Sequence, residues 1–283
     1  MAVYTSVSDD ELAQFLSEYD IGEAIAFKGI AEGVENSNYY LETTTGRFIL
    51  TLFEKRADPE DLPYYIALKQ QLAANGYSCP LPVQARDGEA LRTCAGRSAV
   101  IITFLQGLSP KVPNAAQCRE LGIGLAKLHE ASRDFEMVRE NSLGPQSWPV
   151  LWDGRDDTAE ALQSGLADKI SEDLIAIAHS ASADARLPRG TIHADLFPDN
   201  AFFLGDRFTG AIDFYFACTD ALAYDLAVCI NAWAFEPDGA FNYSKDTNLI
   251  AGYERDRPLE KDEKDANPIL SRGAAKRYIL KSI

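Results

Sequence analysis

Four polar side chains with a fixed spacing stand out in the second half of the chain. The segment IHADLFPDNAFFLGDRFTGAIDF contains His193, Asp195 and Asn200, and Asp213 follows thirteen residues after Asn200. Polar groups at this density are costly to bury unless they pair with one another or bind a ligand. Hard divalent cations prefer carboxylate and amide oxygens as ligands. The segment therefore predicts a cation site with one more carboxylate close to it.

The residues between these side chains explain how the spacing can bring them together. A tight loop can direct the Asp195 carboxylate into a cleft. A β-hairpin follows, with strands predicted at 201–204 and 210–212. The return strand brings Asp213 back beside Asn200, which precedes the first strand. The hairpin therefore predicts that an amide oxygen and a carboxylate converge on one point.

The composition limits the possible partners of the chain. Its 283 residues fit one large domain or two lobes, and a hydrophobic content of 46% is ample for a core. The formal net charge of −16 disfavours binding to nucleic acid and to anionic membranes. No apolar run reaches the roughly 20 residues of a membrane span, and we find no secretion signal. The five cysteines lack CxxC spacing, which is typical of reduced thiols in a cytoplasmic protein.

The periodicity of the apolar residues changes near residue 105. Before that point a capping box at Ser8 predicts the start of a short helix, and a longer helix is expected at 58–75. Strands are expected at 24–30, 38–42, 47–53 and 99–105. Afterwards helical spacing dominates, with helices predicted around Cys118–His129 and at 156–180 and 220–234. The sequence therefore predicts an α+β fold in two lobes that share a cleft, a β-rich lobe at 1–105 and a mostly helical lobe at 106–283.

The order of the polar residues matches the catalytic segments of protein kinases, in which H-R-D-x-x-x-x-N is followed by D-F-G. The corresponding segments here read HADLFPDN and IDF. On these motifs the chain resembles the aminoglycoside phosphotransferase and choline kinase superfamily, whose fold is protein-kinase-like. Within it the chain is most similar to the homoserine kinases, through the segments GVENSNYYLETTTGRFILTLFEKR, HADLFPDNAFF and YDLAVCINAWAFEPDG. The resemblance covers essentially the whole chain.

This resemblance implies phosphoryl transfer from ATP with Mg²⁺ to a hydroxyl group, a reaction in which the protein mainly positions the reactants and stabilises charge. Asp195 is then expected to accept the proton of the acceptor hydroxyl. Asn200 and Asp213 are expected to hold the magnesium ion. His193 is assigned to the catalytic segment as a support of its loop, and Asp225 is expected to brace the same loop.

The nucleotide is expected in the first lobe. The loop AEGVENSN offers N–H groups and side-chain donors to the phosphates, at Gly33, Asn36 and Ser37. Thr51 occupies the position at which protein kinases carry a lysine, and the sequence leaves open which cation replaces that lysine. The main chain of the hinge is expected to bind the adenine, at Phe104 and Leu105.

The acceptor pocket is assigned to the helix after the hairpin. By resemblance, Asn231, Trp233 and Glu236 form one wall of this pocket, and L-homoserine is the expected substrate. The residues themselves leave alternatives open: another small alcohol such as choline, methylthioribose or an aminoglycoside, or a nucleotide-binding scaffold without activity. They also leave the oligomeric state open. Because SRGAAKRYILK keeps helical spacing almost to the last residue, we expect further residues to follow Ile283.

Overall fold

The computed structural model describes residues 4–31, 36–54, 59–184 and 186–282, and the chain forms two compact units, Met1–Gln106 and Gly107–Ile283. The elements of the described part of the first unit are α1 (Asp9–Leu16), β1 (Ala24–Gly29), β2 (Ser37–Thr43), β3 (Arg47–Leu52), α2 (Leu62–Ala74), β4 (Arg92–Cys94) and β5 (Arg97–Thr103). The strands form an antiparallel five-stranded sheet in the order β1-β2-β3-β5-β4. The predicted β-rich region with one long helix is thus confirmed.

Alternation of apolar and polar side chains along the strands determines which face of this sheet packs against the core. Leu41 in β2 pairs across the sheet with Phe48 in β3, and both contribute to a cluster that includes Leu50, Leu52 and Phe15 of α1. The predicted capping box holds α1 in place, because Ser8 Oγ accepts from Glu11 N and the Glu11 side chain accepts from Ser8 N. Successive strand residues point to opposite faces. The face opposite this core therefore carries the alternate residues of β2 and β3.

The second unit is mostly helical. Its elements are α3 (Ala115–Ala131), α4 (Trp148–Trp152), α5 (Asp156–Leu162), α6 (Leu166–Asp184), β6 (Arg189–Ile192), β7 (Ala201–Leu204), β8 (Arg207–Ala211), β9 (Cys218–Ala221), α7 (Leu222–Trp233), α8 (Tyr243–Asp256) and α9 (Lys261–Ser282). Strands β7 and β8 form the predicted hairpin, and β6 pairs with β9 in a second two-stranded sheet. The α+β assignment is confirmed.

The predicted helix at 156–180 is divided into α5 and α6, and the start of α7 also differs from the sequence expectation. A helix was predicted to begin at Asp220, but Asp220 belongs to β9 and pairs with Gly190 of β6. The partner strand lies about thirty residues earlier in the chain, so local periodicity contains no sign of this pairing. Helix α7 therefore begins only at Leu222.

Two glycines allow α3 and α8 to approach closely. A Cβ atom at Gly122 would lie 2.1 Å from the carbonyl oxygen of Leu249, and one at Gly252 would lie 2.0 Å from that of Arg119. No side chain fits at either position without moving the helices apart. This contact sets the distance between His129, near the end of α3, and the residues of α8. Within the described ranges, none of the helices is long and apolar enough to cross a membrane.

Candidate active site

Asp195 lies in the loop between β6 and the β7–β8 hairpin. The Asp195 carbonyl accepts hydrogen bonds from Phe197 N and from Asn200 Nδ2, both at 2.8 Å, so the loop closes tightly on itself. Asn200 Nδ2 also lies 3.4 Å from Asp195 Oδ2. The Asp195 side chain remains 19% exposed. The loop thus holds a carboxylate that is restrained yet still reachable by a ligand.

The hairpin brings the segments of Asn200 and Asp213 together. Asn200 precedes β7, and its carbonyl accepts a hydrogen bond of 2.9 Å from Ile212 N at the end of the return strand. Asp213 follows directly and adopts the left-handed conformation, with φ 61° and ψ 67°. That conformation is uncommon for a residue with a side chain, and such strain persists where the surrounding structure enforces it. This main-chain pairing brings Ile212 to Asn200, and Asp213 is the next residue along the chain.

The donor chemistry of this pair fits a magnesium ion. Asn200 uses Nδ2 for its contacts with the loop, so its Oδ1 is the oxygen that would bind a cation, and the Asp213 carboxylate would be a second oxygen ligand. Within the described parts of the chain, no group of three or more His, Cys, Asp or Glu side chains is arranged to hold a metal ion. Magnesium does not need such a group, because it is usually bound through one or two carboxylates, substrate phosphates and water.

His193 supports this arrangement from inside. It is fully buried, its Nε2 lies 2.9 Å from the Ile212 carbonyl oxygen, and its ring packs on Phe214 with the centroids 4.7 Å apart. His193 Nδ1 also accepts a hydrogen bond from Asp195 N at 3.3 Å. The imidazole therefore connects the catalytic loop to the residues on both sides of Asp213. These contacts agree with a supporting role.

Asp225 holds the main chain just before Asp195. Its two carboxylate oxygens accept hydrogen bonds from His193 N at 2.7 Å and from Ala194 N at 2.8 Å. His129 Nε2 lies 3.2 Å from the same carboxylate, and the other ring nitrogen lies 2.7 Å from the Tyr253 hydroxyl. Burial acts to raise the pKa of Asp225, but the bond with His129 and the contacts of His193 outweigh it and leave the pKa below the usual value. The predicted loop brace is therefore a buried carboxylate.

Two residues of α9 that sequence reasoning missed also reach the loop. Arg277 Nη1 donates to the Ala194 carbonyl, and Arg277 Nη2 lies 4.0 Å from Asp195 Oδ1. The Tyr278 hydroxyl donates to the same Asp195 oxygen at 3.3 Å. These residues stand more than eighty positions after Asp195 in the chain, and no local spacing links them to it. The helical pattern of the segment predicts α9 but does not indicate which of its residues face the loop of Asp195.

The three residues assigned to the acceptor pocket occupy different environments. Trp233 is fully buried, and its Nε1 donates to the Leu196 carbonyl at 2.8 Å, so it supports the catalytic loop from below. Asn231 Nδ2 donates to the Ser271 carbonyl of α9 at 2.7 Å. Glu236 forms an ion pair with Lys245.

Glu236 lies after the end of α7. Its Oε1 is 2.8 Å from Lys245 Nζ and also accepts a hydrogen bond from Asn242 Nδ2 at 2.7 Å. The bond with Lys245, followed by that with Asn242, lowers the pKa of Glu236 below its usual value. The carboxylate is therefore charged and remains partly exposed, with 32% of the side chain accessible.

Two of the residues assigned to the phosphate loop are described, and Gly33 lies outside the described residues. Ser37 Oγ accepts a hydrogen bond of 2.8 Å from Tyr4 N and donates one of 2.6 Å to Glu54 Oε1. Asn36 Oδ1 accepts from Glu54 N at 3.3 Å. Both side chains are buried and organise the start of β2. Their predicted contact with phosphate stays a prediction.

The remaining nucleotide candidates lie on β3 and directly after β5. Thr51 is 2% exposed, and its hydroxyl donates to Asn38 Oδ1 at 2.8 Å on the face opposite the core cluster. Phe104 and Leu105 follow the last residue of β5. Phe104 N donates to the Arg47 carbonyl, and the Arg47 guanidinium lies over the Phe104 ring. The predicted contact of these residues with ATP stays a prediction.

Comparisons of the sequence with known proteins identify related phosphotransferases. The model of a family described as the phosphotransferase enzyme family matches residues 26–259. A homoserine kinase of Hyphomonas neptunium is 62% identical, and the match covers 99% of this chain and 88% of the relative. Homoserine kinases of Methylobacterium radiotolerans and Agrobacterium fabrum are 56% and 51% identical over the same share of this chain, with 87% and 86% of the relatives covered.

Solved structures with the same fold are more distant in sequence. An aminoglycoside phosphotransferase of Alicyclobacillus acidocaldarius superposes with a TM-score of 0.68 at 15% identity, over 93% of this chain and 83% of that one. A choline kinase of Cryptosporidium parvum gives 0.66 at 12% identity, over 96% and 88%. At these identities the likeness shows the fold alone. The predicted protein-kinase-like fold is confirmed.

Proposed function

This chain belongs to the phosphotransferase enzyme family and is an ATP-dependent homoserine kinase, and we propose that Asp195 is the base of its reaction. The observation that supports this role is the restrained and partly exposed Asp195 carboxylate. Asp225 holds the main chain just before Asp195, and the paired segments of Asn200 and Asp213 follow it. The product then serves threonine synthesis, as the name of the activity implies.

The proposed reaction joins the hydroxyl oxygen of L-homoserine to the γ-phosphorus of ATP, while the bond from that phosphorus to the ADP oxygen breaks. The Asp195 carboxylate orients the hydroxyl and takes its proton. A positioned base of this kind accelerates a reaction by about 10²- to 10⁴-fold. Asn200 and Asp213 would hold Mg²⁺, which neutralises charge on the phosphates. His193 and Asp225 keep the loop in place and do not exchange protons with the substrate.

The proposed acceptor pocket must match both charges of homoserine. Homoserine carries an ammonium group and a carboxylate, so its pocket requires an anion and a cation or amide donors. Glu236 is the favoured partner of the ammonium group because its carboxylate is charged and partly exposed. For the buried Trp233 we propose support of the loop at Leu196 rather than contact with the substrate. The cytoplasmic location and the ATP contacts of the first unit stay predictions.

Substitution of the base tests this assignment. Asp195→Asn is expected to lower kcat by about 10²- to 10⁴-fold, because the amide cannot take the proton, while the KM for ATP changes little. Asp199→Asn is the matched control, since Asp199 is an exposed carboxylate in the same loop. The measurement is coupled ADP release with homoserine, choline, serine, methylthioribose and kanamycin as acceptors. Half or more of the wild-type kcat in Asp195→Asn contradicts the role of Asp195, and a higher kcat/KM for another acceptor contradicts the substrate.

A further inference from the structure

Arg277 is a buried cation that lies at ion-pair distance from the proposed base, Asp195. The residue is 2% exposed, and Arg277 Nη2 lies 4.0 Å from Asp195 Oδ1. A buried charge is costly unless an opposite charge and hydrogen bonds compensate it. Rings of Phe216 and Tyr278 lie beside the guanidinium, with centroids 5.3 and 5.4 Å from its central carbon. The aromatic surroundings keep water away and strengthen the attraction between the two charges.

Arg277 also fixes the residue that precedes the base. Ala194 has φ 62°, a left-handed conformation that is strained in a residue with a side chain. Its N–H donates to Asp225 Oδ1 at 2.8 Å, and its carbonyl accepts from Arg277 Nη1. The strained residue is therefore fastened at both of its polar main-chain groups. The direction in which the Asp195 side chain projects from the loop depends on this conformation of Ala194.

Tyr278 restrains the carboxylate itself. Its hydroxyl donates to Asp195 Oδ1 at 3.3 Å, and its ring packs edge-on against Phe197, with the centroids 4.6 Å apart. Arg277 and Tyr278 are adjacent in α9 and approach the same carboxylate oxygen. A hydrogen bond from Tyr278 and a cation at ion-pair distance on the same oxygen limit the rotation of the carboxylate more than either contact alone would.

We propose that Arg277 and Tyr278 are positioning residues of the phosphoryl transfer, which set the orientation of the Asp195 carboxylate toward the acceptor hydroxyl. This inference rests on the proposed role of Asp195 as the base. Neither residue contacts substrate in the proposal, and both act through Asp195. Their contribution therefore belongs to the transition state, in which the orientation of the base matters most.

A double-mutant cycle distinguishes this role from simple structural support. Arg277→Met, Arg277→Lys and Tyr278→Phe are made in the wild type and in Asp195→Asn, and kcat and both KM values are measured by ADP release. Arg272→Met is the matched control, because Arg272 is a cation of the same helix that is 53% exposed and pairs with Asp173. Arg277→Met is expected to lower kcat by about 10- to 100-fold, the effect of a lost hydrogen bond to a charged group. Arg277→Lys is expected to recover part of that loss, with both KM values nearly unchanged.

In the Asp195→Asn background the same substitutions are expected to change the residual rate by less than about twofold, since the group through which they act is already absent. An equal loss in both backgrounds overturns the inference, and so does wild-type kcat in both Arg277→Met and Tyr278→Phe. If Arg277→Met does not fold, Tyr278→Phe carries the test because it removes a single hydroxyl. Half or more of the wild-type kcat in Asp195→Asn refutes both the role of Asp195 as the base and the inference, whereas failure of the inference alone leaves the kcat of Asp195→Asn at its reduced value.

Discussion

Asp225→Asn tests how the catalytic loop is fastened. Asp225 is completely buried and accepts hydrogen bonds from two successive main-chain N–H groups, at 2.7 and 2.8 Å. A hydrogen bond to a charged group contributes about 1.5–3 kcal/mol. Asparagine keeps one acceptor oxygen but turns an NH₂ group toward the other N–H. One bond is therefore lost and one donor remains buried without a partner.

The loss of a buried charge partly offsets this effect, because a neutral amide costs less to bury than a carboxylate. We expect a net decrease of about 2–4 kcal/mol in the free energy of unfolding of this variant. For a domain of this size, each 1 kcal/mol lowers Tm by about 2–4 °C, so Tm should fall by about 4–16 °C. We also expect kcat to fall by about 10- to 100-fold, because the loop no longer holds the proposed base, Asp195, in its position and orientation.

Thermal unfolding and ADP release measure both quantities, and Asp199→Asn serves as the exposed control, with an expected change within about 0.5 kcal/mol. A Tm within about 1 °C of the wild type would refute the reasoning. The pH dependence adds a second check. Since the folded-state pKa of Asp225 lies below its ordinary value of 3.8, its stabilisation is fully present above that value and disappears as the pH falls through the lower folded-state pKa. The stability difference between the wild type and Asp225→Asn should therefore be constant near pH 7 and shrink in acid.

Two further predictions concern the proposed metal ligands Asn200 and Asp213 and the contact of Trp233 with the loop. Asp213→Asn is expected to raise the Mg²⁺ concentration required for half-maximal activity by about tenfold or more, and Asn200→Ala to raise it less, because a carboxylate is the stronger ligand of a hard cation. Magnesium titrations of ADP release measure this concentration, and an unchanged value in both variants contradicts the proposed site. Trp233→Phe removes the donor to the Leu196 carbonyl and is expected to lower the free energy of unfolding by about 1–3 kcal/mol. Urea unfolding measures this loss, and a stability equal to that of the wild type would mean that the indole does not brace the loop.

Local patterns in the sequence indicated most of the helices and strands and the site residues that lie close together in the chain. The Ser8 capping box and the alternation in β2 and β3 each follow from interactions between near neighbours. The hairpin after Asn200 is a local feature too, so the spacing of Asn200 and Asp213 already indicated their approach. The segments quoted for the family resemblance extended this prediction to homoserine, which the relatives bear out.

Only the tertiary structure decided the contacts made across long stretches of chain. Strand β9 forms because β6 pairs with it, and neither segment shows this pairing by itself. The fastening of Ala194 combines a carboxylate from α7 with a guanidinium from α9, and Trp233 was expected to face the acceptor but is buried beneath the loop. The physical reason is the same in each case. The periodicity of apolar residues in a segment indicates whether the segment forms a helix or a strand. The groups that each side chain contacts depend on how separate elements pack, and the local sequence does not encode that packing.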